Sequence, residues 1–327
     1  MARTVVVTGA SGFIGVPMCA LLARTGVRVR AAVRRESTAL AAGRMTDLVQ
    51  SGMLQQIVVG DLGKTADWSA ALQGADAVVH LAARVHVPGT HGQAHRNHFR
   101  ELNVDATLQL AKAAHRAGVK RLVFVSSAKA DAGHGEIGAG DAYSWSKAEA
   151  ERLLRHATSR LALECVIVRP PLVYGPGVRA NFLRLMRLVD SGVPLPLAGI
   201  SNRRSLVFVG NLVDALRACC LHAEAAGRVF PVSDGEDVST PELIRRIARA
   251  LGRPARLFWL PRALLRLAGG LAGQAQAIDR LTSDLSVDVG SIRSVLGWNA
   301  PYSMEHGLAE TASWYLAHRG RAKARGS

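Results

Sequence analysis

Thr8-Gly-Ala-Ser-Gly-Phe-Ile-Gly15 stands directly after a Val-rich run, Thr4–Thr8, and opens an amphipathic stretch, Gly15–Thr25. Its glycines fall at Gly9, Gly12 and Gly15, the spacing G-x-x-G-x-x-G. A strand that turns into a helix over such a loop uses backbone without side chains for three purposes. These are a tight turn, close approach to a pyrophosphate, and close packing of helix on sheet. The helix N-terminus then offers N–H groups and a partial positive charge to an anion.

The alternation continues outward from that loop. Short apolar runs at Thr4–Thr8, Arg28–Val33, Gln56–Gly60, Ala77–Leu81, Arg121–Ser126 and Cys165–Arg169 are separated by amphipathic stretches such as Leu102–Ala117. Strands alternating with helices predict βαβ units, and right-handed crossovers make of them a doubly wound parallel sheet. From about Pro170 the texture changes. Proline and glycine punctuate Pro170–Gly177 and Gly192–Gly199, and the helical patterns Pro241–Leu251 and Ser303–His318 are less regularly spaced by strands. The expectation is an α/β fold with a Rossmann-type dinucleotide-binding domain over residues 1–170, a smaller interleaved α/β substrate lobe over 171–320, and a basic tail at 321–327.

Composition agrees with a cored, globular chain: 327 residues, 49% hydrophobic and 20% charged, with 32 Gly and 12 Pro spread throughout. The four cysteines, Cys19, Cys165, Cys219 and Cys220, show no metal-ligand spacing, which points to a reduced, cytoplasmic protein. The apolar run from Thr4 belongs to the glycine motif and no cleavage site follows it, so no signal peptide is expected. The formal charge of +16 is scattered over both halves, its densest cluster being Arg319, Arg321, Lys323 and Arg325. Such a field attracts anionic ligands in general, nucleotides among them. With no helix-turn-helix, zinc or RNA-binding signature, no nucleic-acid partner is expected. Phe258–Leu271 is rich in Leu and Ala, but Pro261, Arg262 and Arg266 interrupt it. It is shorter than the roughly 20 apolar residues of a spanning helix, so a packed amphipathic helix is expected and no stable membrane insertion, loose membrane contact remaining open. His91, His95 and His98 lie in a polar stretch without carboxylate support and read as solvated surface, not as a metal site.

Three further positions carry chemistry. The second strand ends at Arg34-Arg35 with no acid before Glu36. An acid there would take the ribose 2′-hydroxyl of NAD, whereas arginine accommodates a 2′-phosphate, so NADP(H) is favoured and NAD(H) is the alternative. The third strand runs into Gly60-Asp61-Leu62, where a carboxylate can accept from an adenine amino group. Tyr143-Ser-Trp-Ser-Lys147 puts a phenol and an ammonium on one helix face. The ammonium favours the phenolate, which equips Tyr143 as a general acid or base near neutral pH. Ser127, at the end of the strand that closes on Ser126, can bond the reacting oxygen.

Together the glycine loop, Asp61-Leu62, His80-Leu-Ala-Ala83, Asn103, Ser126-Ser127, Tyr143-x-x-x-Lys147 and Arg169-Pro-Pro-Leu-Val-Tyr-Gly-Pro-Gly177 resemble the extended short-chain dehydrogenase/reductases. Within them they look like the NAD-dependent epimerase/dehydratase group acting on nucleotide sugars. The resemblance runs from about Thr4 to Trp298. The stretches 81–86, 175–182 and 232–239 are similar to a UDP-glucose 4-epimerase-like set that includes 4-ketoreductases forming UDP-N-acetylquinovosamine. The resemblance implies that Gly9, Gly12, Phe13, Ile14 and Gly15 hold the dinucleotide, Asp61 and Leu62 its adenine side and Ala82 its middle. Lys147 would bind the nicotinamide ribose, with Tyr143 and Ser127 catalytic and in contact with substrate. Asn181 and Arg204 would hold the substrate diphosphate, which an arginine fork suits. Asp284 or Arg280 would lie near the uridine, and Asn103 would bond backbone near the active-site loop. Ser144, where a glycine is usual, Trp145 and the missing acid after the second strand depart from the pattern.

The implied activity is oxidoreduction at C4 of a UDP-hexose. The leading form is a 4-ketoreductase of a UDP-4-keto-6-deoxy-HexNAc in surface polysaccharide biosynthesis. The alternative is a UDP-glucose or UDP-GlcNAc 4-epimerase with retained NAD. A 4,6-dehydratase is disfavoured, because Ala128-Lys129 stands where those enzymes carry an acid pair. A non-catalytic NADP(H)-binding sensor or assembly protein is disfavoured by the presence of both Tyr143 and Lys147. The helical patterns after Asn103 and over Tyr143–His156 imply a homodimer through a four-helix bundle, with intramolecular core as the plainer alternative.

Overall fold

In a computed structural model the protein is described over residues 3–63, 66–84, 92–130, 142–261, 263–265, 279 and 281–323. His86, His91, Arg262, Arg266 and Arg280 lie outside the described residues, as do the side chains of Arg321, Lys323 and Arg325.

The chain forms two compact units. The first comprises Met1–Pro170, Val213–Val232 and Val289–Asn299. Its first six strands are β1 (Thr4–Thr8), β2 (Arg28–Val33), β3 (Leu54–Val58), β4 (Ala77–His80), β5 (Arg121–Val125) and β6 (Glu164–Arg169). With β9 (Val229–Pro231) they form a seven-stranded sheet in the order β3-β2-β1-β4-β5-β6-β9, every pair parallel. Strands buried on both faces read as continuous apolar runs, and Val5-Val-Val7 is wholly buried. The expected doubly wound α/β sheet is therefore present. Its strand order reverses between β1 and β4, which opens a crevice at their carboxyl ends where ligands bind in such sheets.

The third strand lies two residues earlier than the Gln56–Gly60 expected. Leu54 is buried and pairs with Val29, while Gly60, at φ 79°, turns the chain out of the ladder. The helices of this unit up to β6 are α1 (Gly15–Arg24), α2 (Thr46–Gln50), α3 (Ser69–Leu72), α4 (Gly92–Phe99), α5 (Ala106–Arg116) and α6 (Ala142–Thr158). A π-helical turn, Arg100–Asp105, joins α4 to α5, so the helix expected from Leu102 begins with a wider turn. Leu110, Ala111 and Ala114 of α5 and Ala150 and Leu154 of α6 pack with Val6, Val78, Leu122, Phe124 and Ile167 of the sheet.

The second unit comprises Pro171–Leu212, Ser233–Asp288 and Ala300–Ser327. It holds a small sheet in which β8 (Arg204–Phe208) pairs in parallel with β7 (Leu172–Tyr174) and antiparallel with β10 (Asp237–Val238). The helices α7 (Ala180–Asp190), α9 (Thr240–Ala250) and α11 (Met304–Lys323) also belong to it, while α8 (Val209–Leu221) precedes α9 and α10 (Gly290–Leu296) precedes α11. Ser239 caps α9, its hydroxyl accepting from the Glu242 amide at 3.3 Å, and Pro241 stands in the first turn. Tyr174 anchors the core of this unit, stacked on Phe182 with ring centroids 5.3 Å apart. Its hydroxyl donates to Asp234, which also accepts from the Phe208 amide and the Asn211 side chain, at 2.7–2.8 Å. Burial raises the Asp234 carboxyl above the usual carboxylate range, the three donors opposing the shift.

Candidate active site

The glycine loop folds as its residue types require. The Gly12 amide donates to the Gly9 carbonyl at 2.9 Å, and Gly9 stands at φ 65°, a region costly for residues with a Cβ. A Cβ at Gly9 would come within 2.9 Å of the Ala82 nitrogen. One at Gly15 would overlap the Gly9 carbonyl oxygen and lie 2.6 Å from that of Ala10. α1 starts at Gly15 with no side-chain cap and no acid in its first turn. The cradle and the uncapped helix end fit a dinucleotide diphosphate. Gly15→Ala is accordingly expected to weaken dinucleotide binding about tenfold or more, since backbone must shift to admit the methyl group. Calorimetric titration with NAD+ and NADP+ reads it, and unchanged affinity would contradict the assignment.

A groove of about 350 Å³ at this place is lined by Gly9, Gly12, Arg34, Asp61, Leu62 and Ala82 among others, bringing six of the expected cofactor residues together. Phe13, Ile14 and Gly15 follow in the loop, half-buried or buried, and Arg35 is exposed beside Arg34. Arg34 Nη1 and Asp61 Oδ1 stand 3.5 Å apart with both side chains largely in solvent. A larger open depression of about 700 Å³ lies beside Lys120 and Glu164, where β5 and β6 begin, at the other end of the strands.

Lys147 is the most constrained of the catalytic candidates. It is only 3% exposed, its Nζ donates to the Val125 carbonyl at 2.7 Å, and it stands 4.6 Å from the centroid of the Phe124 ring. Burial lowers its pKa to about 7, opposed by Glu151 one turn further along α6. Glu151 is itself buried and tied to Arg169 at 2.7 Å. Tyr143, one turn before Lys147, is half-buried with its ring edge-on to Phe99, centroids 6.4 Å apart. Ser127 is half-buried where the chain leaves β5, its hydroxyl accepting from the Lys129 amide at 3.3 Å. The neighbouring Ser126 hydroxyl is buried without a hydrogen-bond partner.

A chain of buried hydrogen bonds ties the glycine loop's strand to α6. Thr8 Oγ1 lies 2.7 Å from His80 Nδ1, and His80 Nε2 lies 3.0 Å from Thr107 Oγ1. The Thr107 hydroxyl donates to the Asn103 carbonyl at 2.7 Å, so it must accept from His80 Nε2–H, and Thr8 must donate to Nδ1. Burial, reinforced by the nearby Lys147 charge, lowers the His80 pKa to about 3, which keeps the ring neutral and this tautomer fixed. The Asn103 side chain brackets the Arg84 backbone, accepting from its amide at 2.7 Å and donating to its carbonyl at 2.9 Å. It also donates to Ser146 Oγ at 3.0 Å, and Ser146 donates to the Tyr143 carbonyl at 2.7 Å. Asn103 thus bonds backbone, as expected. His80, Thr8, Thr107 and Ser146 had been assigned no role from the sequence, although a histidine closing the apolar strand Ala77-Val-Val-His80 was a visible signal.

Of the expected substrate residues, Ser127 and Tyr143 belong to the first unit and Asn181, Arg204 and Asp284 to the second. Arg204 opens β8 half-buried, its Nη1 donating to the Ser283 carbonyl at 3.3 Å; burial lowers its pKa, with Asp284 acting in the opposite direction. Asp284 is exposed and accepts from the Arg203 amide at 2.7 Å. Asn181 stands exposed on the first turn of α7, directly after Ala180, whose φ of 53° is a strained value for a residue with a side chain.

The sequence model of the NAD dependent epimerase/dehydratase family matches residues 5–233. The chain belongs to that family. It is an enzyme of the extended short-chain dehydrogenase/reductase type, as its motifs imply. Among relatives of this epimerase/dehydratase chain, the UDP-glucose 4-epimerase of Vibrio cholerae is 38% identical over 333 residues, covering 98% of both chains. An N-acetyl-alpha-D-glucosaminyl-diphospho-ditrans,octacis-undecaprenol 4-epimerase of Escherichia coli O157:H7 is 25% identical and covers 97% of each. Among solved structures, MoeE5 in complex with UDP-glucose and NAD superposes with a TM-score of 0.73 at 28% identity, covering 97% of this chain and 99% of that one.

Proposed function

We propose that this family member inverts C4 of a UDP-hexose, as a 4-epimerase of the UDP-glucose or UDP-GlcNAc kind that retains NAD. The observation that carries the reading is Lys147, one turn from Tyr143 on α6 and bonded to the Val125 carbonyl two residues before Ser127, in the same unit as a glycine cradle that fits a dinucleotide. The 38% identity to a UDP-glucose 4-epimerase over nearly the whole chain supports the choice of substrate and outcome. A nicotinamide held in that cradle would supply reversible hydride transfer at C4, with the hydride returned to the opposite face of the 4-keto sugar. Tyr143 takes the proton of the sugar 4-hydroxyl and returns it, while Ser127 holds that oxygen in place by a hydrogen bond. Lys147 binds the nicotinamide ribose and supplies positive charge near the phenol. Arg204 and Asn181 hold the substrate diphosphate, with Asp284 towards the uridine. Substrate and dinucleotide are then the partners of the chain.

One observation favours a second reading. Arg34 and Arg35 leave no carboxylate at the end of β2 for a ribose 2′-hydroxyl, which suits NADP(H) and net reduction of a UDP-4-keto-6-deoxy-HexNAc. Incubation with UDP-glucose and catalytic NAD+, followed by chromatography of the sugars, separates the two. UDP-galactose without net cofactor consumption is the expected result. Stoichiometric loss of NADPH with the keto sugar, and no epimer, would make the second reading the correct one.

The cofactor is tested on its own by Arg34→Ala. Losing a charge-assisted bond worth about 1.5–3 kcal/mol should weaken NADP+ about tenfold or more and leave NAD+ within about twofold. Equal losses for both dinucleotides in calorimetry would show that Arg34 does not face the 2′ position.

A further inference from the structure

Two features of the sequence take no part in the catalytic site: the apolar run from Phe258 and the arginine cluster beginning at Arg319. In the second unit the stretch that leads into the first and the residue that opens the second are tied to one carboxylate. Asp190, at the end of α7, accepts from Arg253 Nε at 3.1 Å, from Arg319 Nη1 at 3.2 Å and from the Tyr315 hydroxyl at 3.1 Å. Beyond Arg253 the chain pairs with the segment after α7. The Leu195 amide donates to the Arg256 carbonyl at 2.8 Å, the Phe258 amide to Leu195 at 3.0 Å, and the Ala198 amide to Phe258 at 3.1 Å. Arg256 Nη1 reaches the Gly192 carbonyl at 3.3 Å.

This ribbon leaves large apolar side chains in water: Val193 is 52% exposed, Phe258 47% and Trp259 68%, with Leu264 at 51% just beyond. Trp259 lies across Gly199, where a Cβ would stand 2.7 Å from its ring. Arg253, Arg256 and Arg319 are exposed as well, while Asp190 is already shared among three donors. Single exposed apolar residues are ordinary. Phe, Trp and Leu set among guanidinium groups are a different combination. The rings favour the headgroup–acyl boundary and the charges favour anionic headgroups.

We propose that this face docks the protein on a bilayer surface carrying anionic headgroups. Phe258, Trp259 and Leu264 enter the interface, and Arg253 and Arg256 lie among the phosphates. The attachment proposed is peripheral and reversible; no helix among the described residues is long and apolar enough to cross a membrane. It is independent of the C4 chemistry.

The full chain is sedimented with vesicles of phosphatidylcholine alone and of phosphatidylcholine with phosphatidylglycerol. Binding to the anionic vesicles only, weakening as salt is added, is expected. Arg256→Glu should lower it at least about tenfold, at about 1 kcal/mol for each of two charges changed. Trp259→Ala and Phe258→Ser should each lower it several-fold, with thermal melting and turnover near wild type. No binding to anionic vesicles, equal binding to neutral ones, or variants that bind like wild type would overturn the proposal. A dimer that Trp259→Ala turns into a monomer without lipid would instead give the face to a second copy of the chain.

Discussion

Tyr143→Phe is expected to cut turnover by roughly 10²–10⁴-fold, the range of a positioned proton donor, while dinucleotide affinity stays within about twofold. The substitution removes the hydroxyl proposed to exchange the sugar's proton. The ring that meets Phe99 edge-on remains. The bond that fixes this turn of α6 runs from Ser146 to the backbone carbonyl of residue 143 and is untouched. The glycine cradle lies on other elements and is unchanged. Single-turnover conversion of UDP-glucose measures the first half of the expectation and calorimetry the second. A variant that keeps its rate would remove Tyr143 from the chemistry. One that loses cofactor as well would show that the phenol has a structural role.

Lys147→Met should be as damaging to turnover and yet produce a more stable protein. Burial lowers the Lys147 pKa to about 7 in the fold, against a usual value of 10.5. Between those two pH values the unfolded chain holds a proton that the folded chain lacks, so the stability of the wild type rises with pH across the window. Below about 7 both states are protonated and the cost of the buried ammonium is fully felt. That cost is on the order of 5 kcal/mol. Urea denaturation of the ligand-free proteins should therefore find the methionine variant ahead at pH 6, with its lead shrinking towards pH 10. A variant less stable at both extremes would mean that the bond to Val125 and the Phe124 contact outweigh desolvation.

The elements that could be read from the chain were those whose signal is local. The glycine loop, β1, β2 and the Tyr143–Lys147 face depend on residue types a few positions apart, and the structure places them where spacing put them. The wiring between them was hidden, because Thr8 meets His80 across 72 positions and Asn103 meets Ser146 across 43. No periodicity reports such pairs. The register of β3 was missed for a related reason: Leu54 joins the sheet through its partner Val29, while the chain leaves the ladder at Gly60. In the second half, strands of three, five and two residues are too short for alternation to declare them. Asn181, Arg204 and Asp284 were reached through resemblance, since nothing in their own neighbourhoods distinguishes them from surface polar residues.

The measurement that bears most directly on hydride transfer at C4 uses UDP-glucose deuterated at that carbon. Enzyme loaded with NAD+ is mixed with the labelled sugar, quenched within a turnover, and the released dinucleotide is weighed by mass spectrometry. Deuterium on the nicotinamide ring is the expected result, together with its disappearance in Tyr143→Phe. Epimer formed while the deuterium never leaves the sugar, or reduced cofactor without label, would contradict transfer at C4.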